Sequence, residues 1–172
     1  MARAFISIGS NINPAENFKK AIRAISQKTD LKNISTVYET EPEGKQDQPV
    51  FYNSVIEIDS QSSPCDLKEM LRSIEAELGR KRNGDKYAPR TIDLDLIIYD
   101  DIIEHDLKIP DPEITLRPFL AIPLFELAPE LILPGSNTSI KEAAQRFSSN
   151  HMKPLEDFTS QLKAQIYSIK KL

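Results

Sequence analysis

Apolar residues recur along this chain at two spacings, and the switches between them mark its elements. Residues 2–8 (Ala-Arg-Ala-Phe-Ile-Ser-Ile) form a short apolar-rich run ended by Gly9-Ser10-Asn11, which predicts a strand and a turn. Phe18, Ala21, Ile22 and Ile25 follow at helical spacing. Pro14 suits a first helical position and Glu16 stands three residues past Asn13, so a helix over about 14–27 with Asn13 as N-cap is expected. Ile34 to Thr40 predicts a second strand, and Val50 to Ile58 a third. Between them Glu41 to Pro49, with two prolines and a glycine, must be a loop. Ser63-Pro64 with Asp66 opens a second helix, carried by Leu67, Met70, Leu71, Ile74 and Leu78 and stopped at Gly79. A basic, polar stretch over 80–90 then leads into a fourth strand, Thr91 to Tyr99.

The order β-α-β-β-α-β is the split-βαβ, ferredoxin-like unit of α+β proteins. It predicts a four-stranded antiparallel sheet with both helices on one face. Further on, the pattern suggests an edge hairpin near 101–109 and short helices around 117–124 and 139–147. Leu155, Phe158, Leu162, Ile166 and Ile169 predict a C-terminal amphipathic helix. At 172 residues the chain has the length of one domain, 1–172, with about 150–172 as a helical extension.

Composition narrows the function. Apolar residues make up 40% and charged ones 28%, ordinary for a folded globule, and with no Trp the core must rest on Ile, Leu and Val. A formal charge of −4 gives no global basic field for nucleic acid or an anionic membrane. Cys65 is alone, which leaves neither a disulfide framework nor a thiol metal site. The first residues lack a signal-like apolar run, and no stretch approaches the ~18–20 apolar residues of a membrane span. A cytoplasmic protein is expected, as monomer or dimer.

Against that acidic background one segment stands out, Gly79-Arg-Lys-Arg-Asn-Gly-Asp-Lys-Tyr-Ala-Pro-Arg90 running into Thr91-Ile-Asp-Leu-Asp-Leu96. Strand side chains alternate, so Ile92, Leu94, Leu96 and Ile98 share one face and Asp93 and Asp95 the other, about 7 Å apart. Like charges this close raise each other's pKa unless a cation lies between them. Oxygen-only ligands without His or Cys favour Mg²⁺. Alone, the pair reads as two solvated carboxylates. Beside Arg80, Lys81, Arg82, Lys86 and Arg90 it reads as a site for a metal-bound polyphosphate, with guanidinium forks for the phosphates. On the third strand, Phe51 and Asn53 share a face, and a ring beside an amide suits a heteroaromatic bicycle.

These residues resemble those of the hydroxymethyl-dihydropterin pyrophosphokinases. The resemblance runs through Gly9-Ser10-Asn11, Tyr38-x-Thr40, Gln46-Asp47-Gln48-Pro49 and Phe51-x-Asn53 to Ala88-Pro89-Arg90-Thr91-Ile92-Asp93-Leu94-Asp95-Leu96. It resumes at Arg117-Pro118-Phe119 and Pro123 to Glu130, covering about residues 4–135. It implies transfer of pyrophosphate from ATP, as co-substrate, to 6-hydroxymethyl-7,8-dihydropterin in folate biosynthesis. It also implies Asp93 and Asp95 as magnesium ligands and Arg80 and Arg90 as catalytic arginines. Phe51 and Phe119 would sandwich the pterin, with Asn53, Thr40, Glu41, Glu43 and Asp93 around it. ATP would meet Glu75, Arg82, Tyr87, Arg90, Leu96, Lys108, Asp111 and Arg117.

Three positions depart from that family's pattern. Asp111 stands where His is usual, Tyr87 where Trp is common, and Glu41 and Glu43 make the pterin-side loop more acidic. Asp111 would repel ATP phosphates unless Lys108 or a metal compensates. The loops Glu41–Pro49 and Arg80–Tyr87 are expected to close over both substrates. Two other readings stand beside this one: a metal-dependent nucleotidyltransferase using the same carboxylates, and a non-catalytic ligand-binding module.

Overall fold

The computed structural model describes residues 1–148 and 151–172. The predicted elements form as β1 (Ala2–Ser10), α1 (Pro14–Ser26), β2 (Asp30–Ile34), β3 (Tyr38–Thr40), β4 (Phe51–Ser60), α2 (Pro64–Glu77) and β5 (Asp93–Tyr99). After them come 3₁₀ turns at His105–Leu107 and Pro112–Thr115, then α3 (Pro118–Leu127), α4 (Ile140–Gln145), β6 (Met152–Pro154) and α5 (Glu156–Lys170). The sheet order is β5-β1-β4-β3-β6, with β2 also on β4, and every pairing is antiparallel. The hairpin expected near 101–109 is a single bridge, Glu104 with Ile109, around the first 3₁₀ turn.

Helices cover both faces of the sheet. Phe18, Ile22 and Ile25 of α1, Leu67, Leu71 and Ile74 of α2, and Leu162 and Ile166 of α5 pack with Ile6, Ile8, Ile56 and Ile58. On the opposite face Ala121 and Leu124 of α3 and Ile140 and Ala143 of α4 pack with Phe5, Val55 and Ile97. α1 and α2 thus share one face, as the pattern predicts.

Four local expectations change. Asn13 does not cap α1 through its side chain; it adopts a left-handed conformation (φ 42°), which Asn tolerates. The second strand, expected over Ile34 to Thr40, is two: β2 starts earlier, at Asp30, and ends at Ile34, and β3 takes only Tyr38–Thr40. They part because Val37 between them bonds to the start of α5 instead: its N–H donates to Thr159 Oγ1 at 2.9 Å and its carbonyl accepts from Leu155 N at 2.8 Å. β6, which sequence patterning did not indicate, pairs along the outer side of β3. Finally, a register shift opposite Phe5 and Ile6 makes Ile97 a bulge in β5. The extra residue ends the alternation, so Ile98 joins Ile97 in the α3–α4 core instead of facing α1 and α2 with Leu94 and Leu96.

The end of α2 follows from its residues. Gly79, at φ 87°, donates to Ala76 O at 3.0 Å, and Arg80 N donates to Glu75 O at 3.0 Å. That is a Schellman closure, and it sets Arg80 directly beside Glu75.

Candidate active site

Three adjacent strands run from apolar to polar along the face that α3 and α4 cover at one end only. Each strand contributes alternate residues: Phe5, Ser7, Gly9 from β1; Val55, Asn53, Phe51 from β4; Ile97, Asp95, Asp93 from β5. The register sets Asn53, Gly9 and Asp93 in one row and Val55, Ser7 and Asp95 in the next. With strands about 4.8 Å apart, Asn53 and Asp93 flank Gly9 across about 10 Å. A Cβ on Gly9 would lie 2.8 Å from Asn53 Oδ1, so only glycine leaves that floor open. Above the rows is a cavity of about 190 Å³.

At its β5 end two arginines grip one carboxylate. Arg80 Nη1 donates to Asp93 Oδ1 and Arg90 Nη1 to Asp93 Oδ2. Behind them Glu75, only 2% exposed, accepts from Arg82 Nη2 at 2.7 Å and pairs with Arg80 Nη1 at 3.1 Å. Its other role is at the free edge of β5, where Glu75 Oε1 accepts from Leu94 N at 2.9 Å and so satisfies an edge amide that no strand pairs. Burial works against the Arg80 charge, but Asp93 and Glu75 outweigh it and raise its pKa.

The two loops meet over the cavity. Gln48 Nε2 donates to Tyr87 O at 2.9 Å, Lys45 Nζ pairs with Asp85, and Gly44 packs against the Tyr87 ring. Gly44 sits at φ 74° with its missing Cβ 2.6 Å from that ring, so conformation and space both require glycine. Both loops are anchored at Asn11, which is 2% exposed. Its Nδ2 donates to Gln48 Oε1 at 2.8 Å and Pro49 O at 3.1 Å, and its Oδ1 accepts from Arg90 N at 2.7 Å. On the far wall Arg117 pairs with Glu43, and Asn53 Nδ2 donates to Thr40 Oγ1 at 2.7 Å.

Asp95 faces the cavity without a cation on it. Its side chain is open to the cavity, yet partial loss of solvation beside the surrounding protein pushes its carboxyl from the ordinary 3.8 up to about 7, with Asp93, then Glu75, then Asp111 adding to the effect. Asp111 is brought there by the bulge: the Ile97 carbonyl accepts from Asp111 N at 2.8 Å. The Asp111 carboxyl is raised by burial, although it caps the second 3₁₀ turn by accepting from Glu113 N at 2.8 Å, and Lys68 and Lys108 offset part of the rise. Among the described residues no group of three or more His, Cys, Asp or Glu is arranged to hold a metal. The Asp93–Asp95 pair fits a hard cation that takes few protein carboxylates and fills its shell with water and phosphate oxygens.

Of the expected site residues, Thr40, Glu41, Glu43, Phe51, Asn53, Tyr87, Arg90, Asp93, Asp95, Asp111, Arg117 and Phe119 line the cavity. Arg80 reaches it through Asp93. Glu75, Arg82, Leu96 and Lys108 do not line it. Leu96 is buried in the α1–α2 core, which leaves only its backbone for a ligand. Asn11 and Gln48 were marked by their motifs alone; their spacing gives no sign that they tie two loops together.

A match to the family described as 7,8-dihydro-6-hydroxymethylpterin-pyrophosphokinase (HPPK) spans residues 5–129. The chain belongs to this family. It is 40% identical over 157 residues to the 2-amino-4-hydroxy-6-hydroxymethyldihydropteridine pyrophosphokinase of Haemophilus influenzae, covering 88% of this chain and 97% of that protein. The Pseudomonas aeruginosa pyrophosphokinase is 36% identical over 137 residues, 77% of this chain and 84% of its own. Folic acid synthesis protein fol1 of Schizosaccharomyces pombe is 35% identical over 162 residues, 90% of this chain and 22% of that protein. Among solved structures, Plasmodium falciparum HPPK-DHPS shares the fold at a TM-score of 0.72 and 14% identity, over 89% of this chain and 48% of that one. As an HPPK the protein is a folate-synthesis pyrophosphokinase, transferring pyrophosphate from ATP to 6-hydroxymethyl-7,8-dihydropterin.

Proposed function

We propose that this transfer takes place in the cavity over the Asn53–Gly9–Asp93 row, with the pterin at its β4 end and the ATP phosphates at its β5 end. That row is the observation that carries the reading, since it sets an amide-and-ring surface across one intervening strand from the arginine-gripped Asp93 carboxylate. Phe51 and Phe119 bracket the pterin ring, and Asn53, oriented by Thr40, meets its polar edge. Glu41 and Glu43 contribute from the loop above.

Asp93 and Asp95 would hold Mg²⁺, which when bound neutralises charge on the phosphate oxygens and eases loss of the alcohol proton. The hydroxymethyl oxygen attacks the β-phosphorus in line, the bond from that phosphorus to the α–β bridging oxygen breaks, AMP leaves with that oxygen, and the alcohol proton passes to solvent. A guanidinium has five N–H donors; Arg80 Nη1 serves Asp93 and Glu75, and Arg90 uses Nη1 on Asp93 and Nη2 on Lys86 O, which leaves each arginine further N–H groups for phosphate oxygens. Glu75 acts behind them, fixing Arg80 and Arg82. Arg117 meets the nucleotide, Lys108 offsets Asp111, and the Tyr87 loop excludes water that would hydrolyse ATP. This reading treats residues 1–172 as one catalytic domain working in the cytoplasm.

Purified protein with ATP, Mg²⁺ and the reduced hydroxymethylpterin should release AMP and the pterin diphosphate. Free pyrophosphate with a nucleotidyl-pterin would establish nucleotidyl transfer instead. Pterin binding without ATP consumption would reduce the chain to a binding module.

A further inference from the structure

We propose that the C-terminal β6–α5 segment is a positioning element for the pterin half of the site, acting through Phe158 and Thr159. The inference rests on the pterin reading above and concerns residues beyond 129, where the family match ends.

Two contacts reach the strands that carry Thr40 and Asn53. The first passes through Tyr52, which stands between Phe51 and Asn53 on β4 with its ring on the opposite face of the sheet. Phe158 of α5 packs on that ring at 5.6 Å between centroids, and Phe18 completes the cluster at 6.0 Å from Phe158 and 6.2 Å from Tyr52. The cluster supports β4 from directly behind the pterin surface. The second runs through the Val37 peptide groups. Thr159 Oγ1 accepts from Val37 N at 2.9 Å while donating to Leu155 O at 2.8 Å, and Leu155 N donates to Val37 O at 2.8 Å. Val37 is wholly buried and leads into β3.

β3 has three residues, and β6 covers its outer side with Met152 opposite Thr40. Without that cover β3 would be a short edge strand, free to fray. Its Thr40 hydroxyl orients the Asn53 amide, so displacement of β3 passes straight to the group that reads the pterin. Among the described residues no hydrogen bond, ion pair or ring contact joins this segment to Asp93, Arg80 or Arg90 in the β5 half of the site. The coupling is therefore selective.

The test uses the full chain with Phe158→Leu, which removes the ring but keeps apolar bulk, Thr159→Val, which removes the hydroxyl, and Thr159→Ser, which restores it. Pterin Kd is measured with a non-hydrolysable ATP analogue present, analogue Kd by itself, and KM for both substrates, all well below the melting temperature. Phe158→Leu and Thr159→Val should each raise the pterin Kd and KM by roughly 3- to 30-fold. The analogue Kd should stay within about twofold, and Thr159→Ser should return the pterin values to wild type. Wild-type pterin affinity in both variants, or an equal loss for both substrates, would overturn the proposal and leave the segment a general support of the fold. Failure of the wild-type protein itself to bind pterin would instead overturn the site reading on which it rests.

Discussion

Asn11 and Arg90 are joined by two reciprocal hydrogen bonds: Asn11 N donates to Arg90 O at 3.1 Å, and Arg90 N donates to Asn11 Oδ1 at 2.7 Å. The same buried side chain holds Gln48 and Pro49, so Arg90 and the loop over 41–49 share one anchor. Asn11→Ala leaves the Arg90 amide and the Pro49 carbonyl unpaired. It should cost about 1–3 kcal/mol of stability in urea unfolding. Turnover should fall at least about tenfold, since a small misplacement of a reacting group is expensive.

Asp93→Ala and Asp95→Ala should each lower turnover by at least about 100-fold while leaving the far-UV spectrum unchanged, a loss on the scale of removing one preorganised electrostatic group. Steady-state rates across a magnesium titration check this. Wild-type rates in either variant would remove the metal role from that carboxylate.

The raised Asp95 carboxyl has a stability consequence with a definite sign. The native state binds this proton more tightly than the unfolded chain, so stability falls as pH rises from about 4 to about 7, and above that the full cost is present. Asp95→Asn removes the cost. Without magnesium the variant should melt above wild type at pH 8, and the gap should close towards pH 4. Water in the cavity screens the charge, which limits the gain to about 1 kcal/mol, or about 2–4 °C. Equal melting temperatures at pH 8 would contradict the uncompensated charge.

Glu43 holds Arg117 across the mouth of the cavity, and its side chain is 49% exposed. Exposed pairs contribute about 0.2–1 kcal/mol, so freeing Arg117 with Glu43→Gln should lower KM for ATP by roughly up to fivefold. kcat should be unchanged. Initial rates over an ATP series decide it, and a raised KM would show that Glu43 assists the nucleotide.

Contacts between the two loops are few and lie at the surface, so their backbone amides should exchange quickly in the free protein. Protection over 41–49 and 80–90 is expected only with ATP analogue and pterin together, by hydrogen exchange. Unchanged exchange would argue against closure.

Much of this architecture was open to reading in the sequence because its signals are local. Helical spacing in α1 and α2 and the parity of Asp93 and Asp95 need no distant partner, and the motif resemblance supplied the roles. The features that escaped depend on distant contacts. The break at Val37 exists because Thr159, 122 residues away, takes its amide. The bulge at Ile97 appears only in the register against β1. Leu96 carried an expected nucleotide contact, yet the same alternation that sets Asp95 in the cavity turns the Leu96 side chain into the core.

The bulge in β5 also limits where the strand can be cut and rejoined. Asp93 and Asp95 are set in one frame of the strand, while Ile98 and Tyr99 are set in the other, and the Tyr99 hydroxyl reaches Ser62 O at 2.7 Å. A graft spliced inside β5 from an unbulged strand would put every residue after the joint a half-period out of phase. Its aspartates would be correct, but the chain leading to Asp111 would be turned inside out. Crossovers for chimeric enzymes therefore belong before Asp93 or beyond Tyr99.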